Sequence, residues 1–494
     1  MHNHKSIIIL LSLIICGYSA DSQTLSKQYT LEQVIDIAQD QSPDALSAKN
    51  KFLRSFWEFR TSKALLLPKL SLDAVAPNIS SPTIIKVTQP DGTDAFREVY
   101  QANTSANLSL SKNIGFTGGN IYLSSGLERI DYLNTDSSSW YSNPLTIGYQ
   151  QNIFTFNPYK WSKKIDPIKY NEAKKKYLEN VEQISITASN YFFNFLVSQI
   201  KNKIADQKYA NYDTLYKIAI GRYNLGKIPE NDLLQLELQL LRAESEVETN
   251  NINFEDRMSR LKSYLRLQDD QDIELIPPVK DIDFFDIPVD EAVAKAIENN
   301  SLSLGFERRL LEADMGVNYA KRTDRFEASL FAQYGLTQQG EQFSESYQNP
   351  QQSQQLSFGI HVPILDWGLA KGNIKIAESE REITRTAVEQ EQIDFTQSIY
   401  LEVMYFKMQP RQLQIAAKAD TVAQKGYVVS KQRYMIDKIS ITDLNVAQVD
   451  KDNSTISFIK SLQDYWVNYY RLRQLTLYDF KNNKDISIDF DKIR

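Results

Sequence analysis

The stretches RYNLGKIPENDL (222–233) and RYMIDKISITDL (433–444) decide how this chain is read. Six of the twelve aligned positions are identical: Arg222/Arg433, Tyr223/Tyr434, Lys227/Lys438, Ile228/Ile439, Asp232/Asp443 and Leu233/Leu444. That is far more than unrelated stretches share by chance, and each pair lies 211 residues apart. Ile153/Ile364 and Lys160/Lys371 keep the same spacing. Self-similarity at a fixed offset marks a chain built from a repeated structural unit.

The repeat extends toward the N-terminus. Thr30-Leu31-Glu32 opens one segment and Pro288-Val289-Asp290 opens another 258 residues later; Ala38 then maps to Ala296 and Leu72 to Leu330. The offset falls from 258 to 211, so the first half carries 47 extra residues, all between Leu72 and Ile153. The chain divides into a leader (1–22), a first repeat (23–280, tip at 222–232), a second repeat (281–480, tip at 433–443) and a C-terminal tail (481–494). A joint rich in proline, at Pro277, Pro278 and Pro288, separates the repeats.

Each half presents its elements in the same order. Val34, Ala38, Ala45, Ala48, Phe52 and Phe56 recur at helical spacing, predicting a helix from Leu31 to about Leu66, closed by Pro68. Leu70, Leu72 and Ala74 alternate with Ser71 and Asp73 as in a strand with one buried face. Strand alternation continues at 106–111 and 121–125 around a turn at 115–120, and in a run ending near Phe156. The second half repeats it at 328–334 and 356–362. The polar stretches 91–93 and 338–354 read as loops between strands. Long helical stretches follow, 161–216, with no glycine and the single proline Pro167, and 369–434, with two glycines and the single proline Pro410, which is expected to bend its helix. Each ends at the repeated motif and returns as a second helix, 231–265 or 441–477.

Helices of this length bury little within one chain. Their apolar stripes, Ile184, Ala188, Tyr191, Phe195 and Ile399, Val403, Phe406, need neighbouring helices to cover them.

The first 22 residues read as an export signal: His2, His4 and Lys5, an apolar run from Ile7 to Cys16, then Gly17, Ser19, Ala20 and Ser22. Cleavage after Ser22 places Ala20 and Ser22 at the recognition positions. Cys16 is the only cysteine, so a cleaved chain has neither disulfides nor thiolate metal sites. Lipidation of Cys16 is the alternative fate, against which stands the bulky Ile15 before it. Beyond the leader no apolar stretch is long enough for a membrane helix, which leaves a soluble protein or a β-barrel, whose membrane signal hides in strand alternation. A net charge of -6 argues against nucleic acid as a partner. Tyr (27 copies) and Phe (23) are abundant, and Trp140, Tyr141, Tyr149, Phe154, Phe156, Tyr159 and Trp161 read as a cluster at one strand-to-helix junction, as an interfacial aromatic girdle or as core packing.

With its opening TLEQVIDIA and LLPKLSL, its PILDWG segment (363–368) and its two RY tips, the chain resembles the TolC-like outer-membrane efflux proteins over nearly its whole mature length. The resemblance implies an α+β fold, a trimeric outer-membrane β-barrel with about four strands per chain continued by a long α-helical periplasmic barrel. It implies a passive exit duct for small molecules or polypeptides in a tripartite efflux or type I secretion system. Its partners would be two further copies, a periplasmic adaptor protein, an inner-membrane pump and the lipid bilayer. The family's Tyr-x-x-Gly tip followed by Asp is complete at Tyr223, Gly226 and Asp232; in the second half Asp437 replaces the glycine before Asp443. By the same resemblance Asp232, Asp443 and Tyr434 are gate candidates, and Arg222, Tyr223, Leu225, Gly226, Arg433, Tyr434, Ile436 and Asp437 are adaptor contacts. Val446 and Ile439 depart from the residues of the family's closing lock. Two roles fit each aspartate, because a carboxylate near a helix start also satisfies free backbone N–H groups.

No catalytic, metal or cofactor set emerges. After cleavage His361 is the only histidine, and the glycines at 115, 118 and 119 lack the lysine of a phosphate loop. A non-enzymatic channel is the leading reading, with an exported coiled-coil scaffold without a pore as its rival.

Overall fold

The structure, a computed structural model, describes residues 27–268, 272–279 and 284–493. The expected signal segment and Cys16 lie outside the described residues. In chain order the elements are β1 (Lys27–Tyr29), α1 (Leu31–Gln41), α2 (Pro43–Ala64), β2 (Lys69–Thr88), β3 (Asp94–Asn113), β4 (Asn120–Tyr132), β5 (Ser137–Ile153), α3 (Pro158–Asn224), α4 (Glu230–Leu265), β6 (Ile273–Leu275), α5 (Val289–Asn299), α6 (Ser301–Arg322), β7 (Glu327–Gly340), β8 (Gln351–His361), α7 (Leu369–Met435), α8 (Ile441–Thr476), β9 (Tyr478–Asp479) and β10 (Lys484–Asp485).

The duplication is written in helix lengths. α1 and α5 each have 11 residues, α2 and α6 have 22, α3 and α7 have 67, and α4 and α8 have 36. The opening helix expected as one piece is two, because Pro43, which lacks an N–H, ends α1 at Ser42 and starts α2. A reciprocal cap starts α1: the Gln33 N–H donates to Thr30 Oγ1 at 3.3 Å and the Thr30 N–H to Gln33 Oε1 at 3.0 Å. Both α3 and α7 run on past their internal prolines, Pro167 and Pro410, each of which lacks the N–H for one helical hydrogen bond.

The strands hold the main departure from expectation. One antiparallel sheet has six strands in the order β2-β3-β4-β5-β7-β8, where the resemblance implied about four. By the repeat offsets β2 corresponds to β7 and β5 to β8, so the extra residues of the first half are β3 and β4, inserted as further strands of the same sheet. The 338–354 stretch is correspondingly shorter as a loop, since β7 runs to Gly340 and β8 begins at Gln351.

Among the described residues two compact units emerge, each drawing on both halves of the sequence: 27–42, 187–268, 272–279 and 412–464 form one, and 43–186, 284–411 and 465–493 the other. In the first, β1 and β6 pair in parallel and the buried face of α1 (Leu31, Val34, Ile35, Ala38) joins a core containing Phe192, Phe193, Phe195, Leu196, Leu261 and Leu265. The second holds the sheet. Its helical core stacks Phe52 against Tyr170, Tyr177 and Phe490, and Phe406 against Phe285, Tyr465 and Tyr469.

A buried charge network lies in this second unit. Arg473 Nη2 donates to Glu182 Oε1 at 2.8 Å and Nη1 to Asp479 Oδ2 at 3.4 Å, while the Tyr469 hydroxyl donates to Asp479 Oδ1 at 3.0 Å. Burial pushes the Glu182 carboxyl up from its ordinary range, opposed by the Arg473 charge. Removing one partner of such a pair leaves the other charge buried and uncompensated. Arg473→Met is therefore expected to destabilise the fold by about 3–5 kcal/mol, read as a lowered midpoint in thermal unfolding followed by circular dichroism. The double variant Arg473→Met/Glu182→Gln is expected to recover only part of the loss, because buried Asp479 is still left without its cation.

Candidate channel surfaces: the two faces of the sheet and the helical tips

Strand alternation fixes which side chains share a face. Residues paired across the ladder lie on the same side, so the register carries one face from strand to strand. Leu70 pairs with Leu110, Leu110 with Leu123, Leu123 with Ile147, and Ile147 with Tyr334. Neighbouring rows on that face hold Leu72 and Leu108, Ile121 and Tyr149, Leu145 and Leu336, and, at the far edge, Leu330 with Phe358 and Ala328 with Ile360. Most of these side chains are exposed, Leu72 66%, Phe358 60% and Ile360 58%, whereas Ala328 is buried, and the face also carries Lys112 opposite Ile121 and Gln354 opposite Tyr334. On β7 the apolar positions run from Ala328 to Leu336, about the nine to eleven residues that a tilted strand uses to cross a bilayer.

The opposite face is polar. One complete row reads Lys69, Ser111, Tyr122, Gly148, Gln333 and Gln355, and the next Ser71, Ser109, Ser124, Thr146, Gly335 and Ser353. Gly148 has a specific reason here: a Cβ at that position would overlap the Tyr122 ring, which lies across it and donates to Gln333 Oε1 at 3.1 Å. His361 ends β8 opposite Glu327, on the polar face.

The aromatic residues read as one cluster are divided. Trp140 and Tyr141 lie at the loop end of β5, where Trp140 meets Phe343 at 5.4 Å and the Arg129 guanidinium at 5.4 Å. Only Phe154, Phe156, Tyr159 and Trp161 adjoin the start of α3, with Phe154 on Phe326, Phe156 on Tyr319, and the Trp161 indole donating to Asn318 at 3.3 Å. Sequence proximity grouped them, but β5 separates its two ends.

The tips belong to the other unit. Tyr212, Leu215, Ala219, Leu236, Ala243, Tyr427, Ile441 and Leu444 form a core that packs Ile228, Leu233 and Tyr434 against it, so the two turns of the repeated motif share one apolar base. The turns are built alike. In the first, the Gly226 N–H donates to Tyr223 O at 2.8 Å and the Lys227 N–H to Arg222 O at 2.9 Å; in the second, Asp437 donates to Tyr434 O at 3.0 Å and Lys438 to Arg433 O at 2.9 Å. Gly226 (φ 66°) and Asp437 (φ 56°) both take the left-handed conformation that ends the helix. Aspartate tolerates it better than most residues, which accounts for the departure from glycine.

Asp437 also joins the turns. Arg222 Nη1 donates to its Oδ1 at 2.6 Å and Nη2 donates to Met435 O at 2.7 Å. The Tyr212 hydroxyl donates to Asn445 Oδ1 and Lys431 Nζ to Asn211 Oδ1, each at 2.7 Å. These last pairs cross between hairpins at positions the repeat offset does not match, so no sequence signal pointed to them.

The two aspartates named as gate candidates differ in their surroundings. Asp443 closes a reciprocal cap on α8: its Oδ2 accepts from the Ser440 hydroxyl at 2.8 Å and from the Ser440 N–H at 3.1 Å, while its own N–H donates to Ser440 Oγ at 3.2 Å. Those bonds hold its carboxyl below the usual range. Asp232 starts α4 behind Pro229, which makes no side-chain cap, and lies half-buried. Tyr434 is half-buried too; burial pushes its hydroxyl up, the Arg222 charge opposes this, and the Asp232 and Asp437 charges reinforce it. Leu225 (72% exposed) and Ile436 (65%), which the repeat superposes, stand out from the turns, and Tyr223 and Arg433 are exposed beside them.

Among the described residues, no group of three or more His, Cys, Asp or Glu is placed to hold a metal ion, and no helix is long and apolar enough to cross a membrane. No protein-family model and no curated protein matches the chain. Solved structures do. The Campylobacter jejuni CmeC outer membrane channel is similar over 94% of this chain and 88% of its own, with TM-score 0.66 and 15% identity. The Vibrio cholerae outer membrane protein VceC matches over 90% and 95%, with TM-score 0.62 and 14% identity. The open state of the Neisseria gonorrhoeae MtrE outer membrane channel matches over 93% and 91%, with TM-score 0.61 and 13% identity.

The left-handed turn at Asp437 yields a direct test. Asp437→Ala and Asp437→Gly both remove the carboxylate that meets Arg222, but only alanine keeps a Cβ in a left-handed conformation. Asp437→Ala is expected to be the less stable of the two by about 1 kcal/mol, measured by denaturant unfolding of the two variants side by side.

Proposed function

We propose that this chain, which has the fold of the TolC-family outer-membrane channels, is the outer-membrane subunit of an efflux or secretion conduit and assembles as a homotrimer. The carrying observation is the division of the six-stranded sheet into a predominantly apolar, largely exposed face and a predominantly polar face. A lipid-facing wall and a water-facing lining need this division, and a strand that crosses lipid must satisfy all its backbone groups within a closed sheet. A coiled-coil scaffold has no use for it.

On this reading the chain resides in the cell outer membrane and its helices extend into the periplasm. An adaptor protein and an inner-membrane pump supply energy and selectivity; this chain supplies the path. The exposed Leu225 and Ile436, with Tyr223, Arg433 and their turns, are the surface offered to the adaptor. Three-fold symmetry turns one aspartate into a ring of three close negative charges, which favours cations at a constriction. Asp232 is the stronger gate candidate, with Tyr434 and Arg222 around it, because Asp443 is engaged in capping its own helix.

Chemical crosslinking in mild detergent is expected to give a trimer, and the purified protein is expected to conduct in planar bilayers. A monomer without conductance would exclude the channel. Asp232→Ala is expected to raise resting conductance, whereas Asp443→Ala leaves it unchanged and lowers stability. Equal conductance of Asp232→Ala and the unsubstituted protein would remove Asp232 from the gate.

A further inference from the structure

The sheet ends in two strands that have a partner on one side only, β2 at one edge and β8 at the other. Both carry apolar side chains on the exposed face, Leu70 and Leu72 on β2 and Leu356, Phe358 and Ile360 on β8. Strand edges of this kind pair with another strand or become sites of aggregation. In lipid, where no water satisfies the backbone, they must pair.

We infer that β8 of one copy pairs with β2 of the next, so that three copies close a barrel of eighteen strands instead of the twelve that the resemblance implied. This rests on the homotrimeric channel reading above and specifies how its wall is built. Three features fit the two edges to each other. First, the sheet is antiparallel throughout with an even number of strands, so β2 and β8 run in opposite directions and meet as an antiparallel pair. Second, the helix-side strand ends stay within three residues of each other at every junction: Lys69 pairs with Ser111, Asn113 with Asn120, Asn120 with Gln150, Ile153 with Ala328, and Glu327 with His361. The same alignment at the seam sets Lys69 against His361, which joins polar face to polar face and puts Leu70 opposite Ile360 on the apolar side.

Third, the stagger closes. The row that starts at Lys69 reaches β8 at Gln355, six residues short of His361. Six residues at about 3.3 Å, over six strand spacings of about 4.8 Å, tilt the strands by roughly 35°. Closed barrels have tilts of 35–45°. Barrel width grows roughly linearly with strand number, so the opening would be about half again as wide as that of twelve strands.

The test is an oxidative crosslink across the seam in the full-length protein, in membranes. Opposed residues of an antiparallel pair have Cα atoms about 4.5–5.5 Å apart, within disulfide reach. Leu70→Cys/Ile360→Cys is expected to yield covalent two-chain and three-chain species on oxidation, whereas neither single variant yields three. In parallel, an amine-reactive crosslinker applied to each variant reports whether the trimer has formed. A trimer by that reagent with no Leu70–Ile360 disulfide would overturn the seam. So would a disulfide from Ile121→Cys/Ile360→Cys, which would mean that β4 is the edge and that each chain contributes four strands. Absence of a trimer in the unsubstituted protein would instead refute the channel reading itself.

Discussion

Backbone hydrogen bonding is the constraint on which the rest of this structure depends. Six strands and their ladder satisfy most N–H and C=O groups of the sheet, and the outer sides of β2 and β8 remain, with the part of β3 before Gln101 that runs beyond β4. With the ladder in place, side chains become free to differ on the two sides. The chain uses that freedom, setting mostly leucine, isoleucine and phenylalanine on one face and mostly serine, glutamine and glycine on the other. Hydropathy averaged along the chain conceals the arrangement, because alternate residues cancel; the mean is -0.42 for the whole sequence. The inserted β3 and β4 obey the same alternation as the strands they separate, so the insertion widens the sheet without altering its two-faced character.

The helical tips obey a different logic. Each turn ends one helix in a left-handed residue and starts the next with an aspartate, and the two turns rest on a common apolar base. Equal construction does not make them equivalent. Where the first has glycine the second has Asp437, whose carboxylate receives Arg222 of the first turn and joins the pair. Where the second has Ser440 and Asp443 capping each other, the first has Pro229, which makes no side-chain cap, and Asp232 remains beside Tyr434. Divergence between the copies has given one turn the link and the other the half-buried carboxylate.

Much of this was legible in the amino-acid order. The repeated RY motif lies at both helical turns, and three of the four long helices follow the expected bounds to within a residue, whereas α3 runs on eight residues past the expected end at 216; the pairwise equality of helix lengths is the duplication itself. Tip turns were legible because glycine or aspartate in a left-handed position, and serine or aspartate at a helix start, act within four or five residues. The break at Ser42–Pro43 was passed over because the apolar period runs on across it, although Pro43 is a local signal in its own right.

Pairing between distant segments was decided by tertiary structure alone. The offset arithmetic placed 47 extra residues in the first half, yet alternation in a segment does not say whether it joins the sheet or forms a separate flap; that depends on which strands lie beside it. Trp140 and Trp161 are close in sequence and belong to opposite ends of a strand and its junction, since an extended chain carries residues apart by about 3.3 Å each. Arg222 finds Asp437, and Tyr212 finds Asn445, only because the hairpins are packed together. Local rules of turn, cap and period are written residue by residue; the register of a sheet and the partner of a buried side chain are set by cooperative packing among segments hundreds of residues apart.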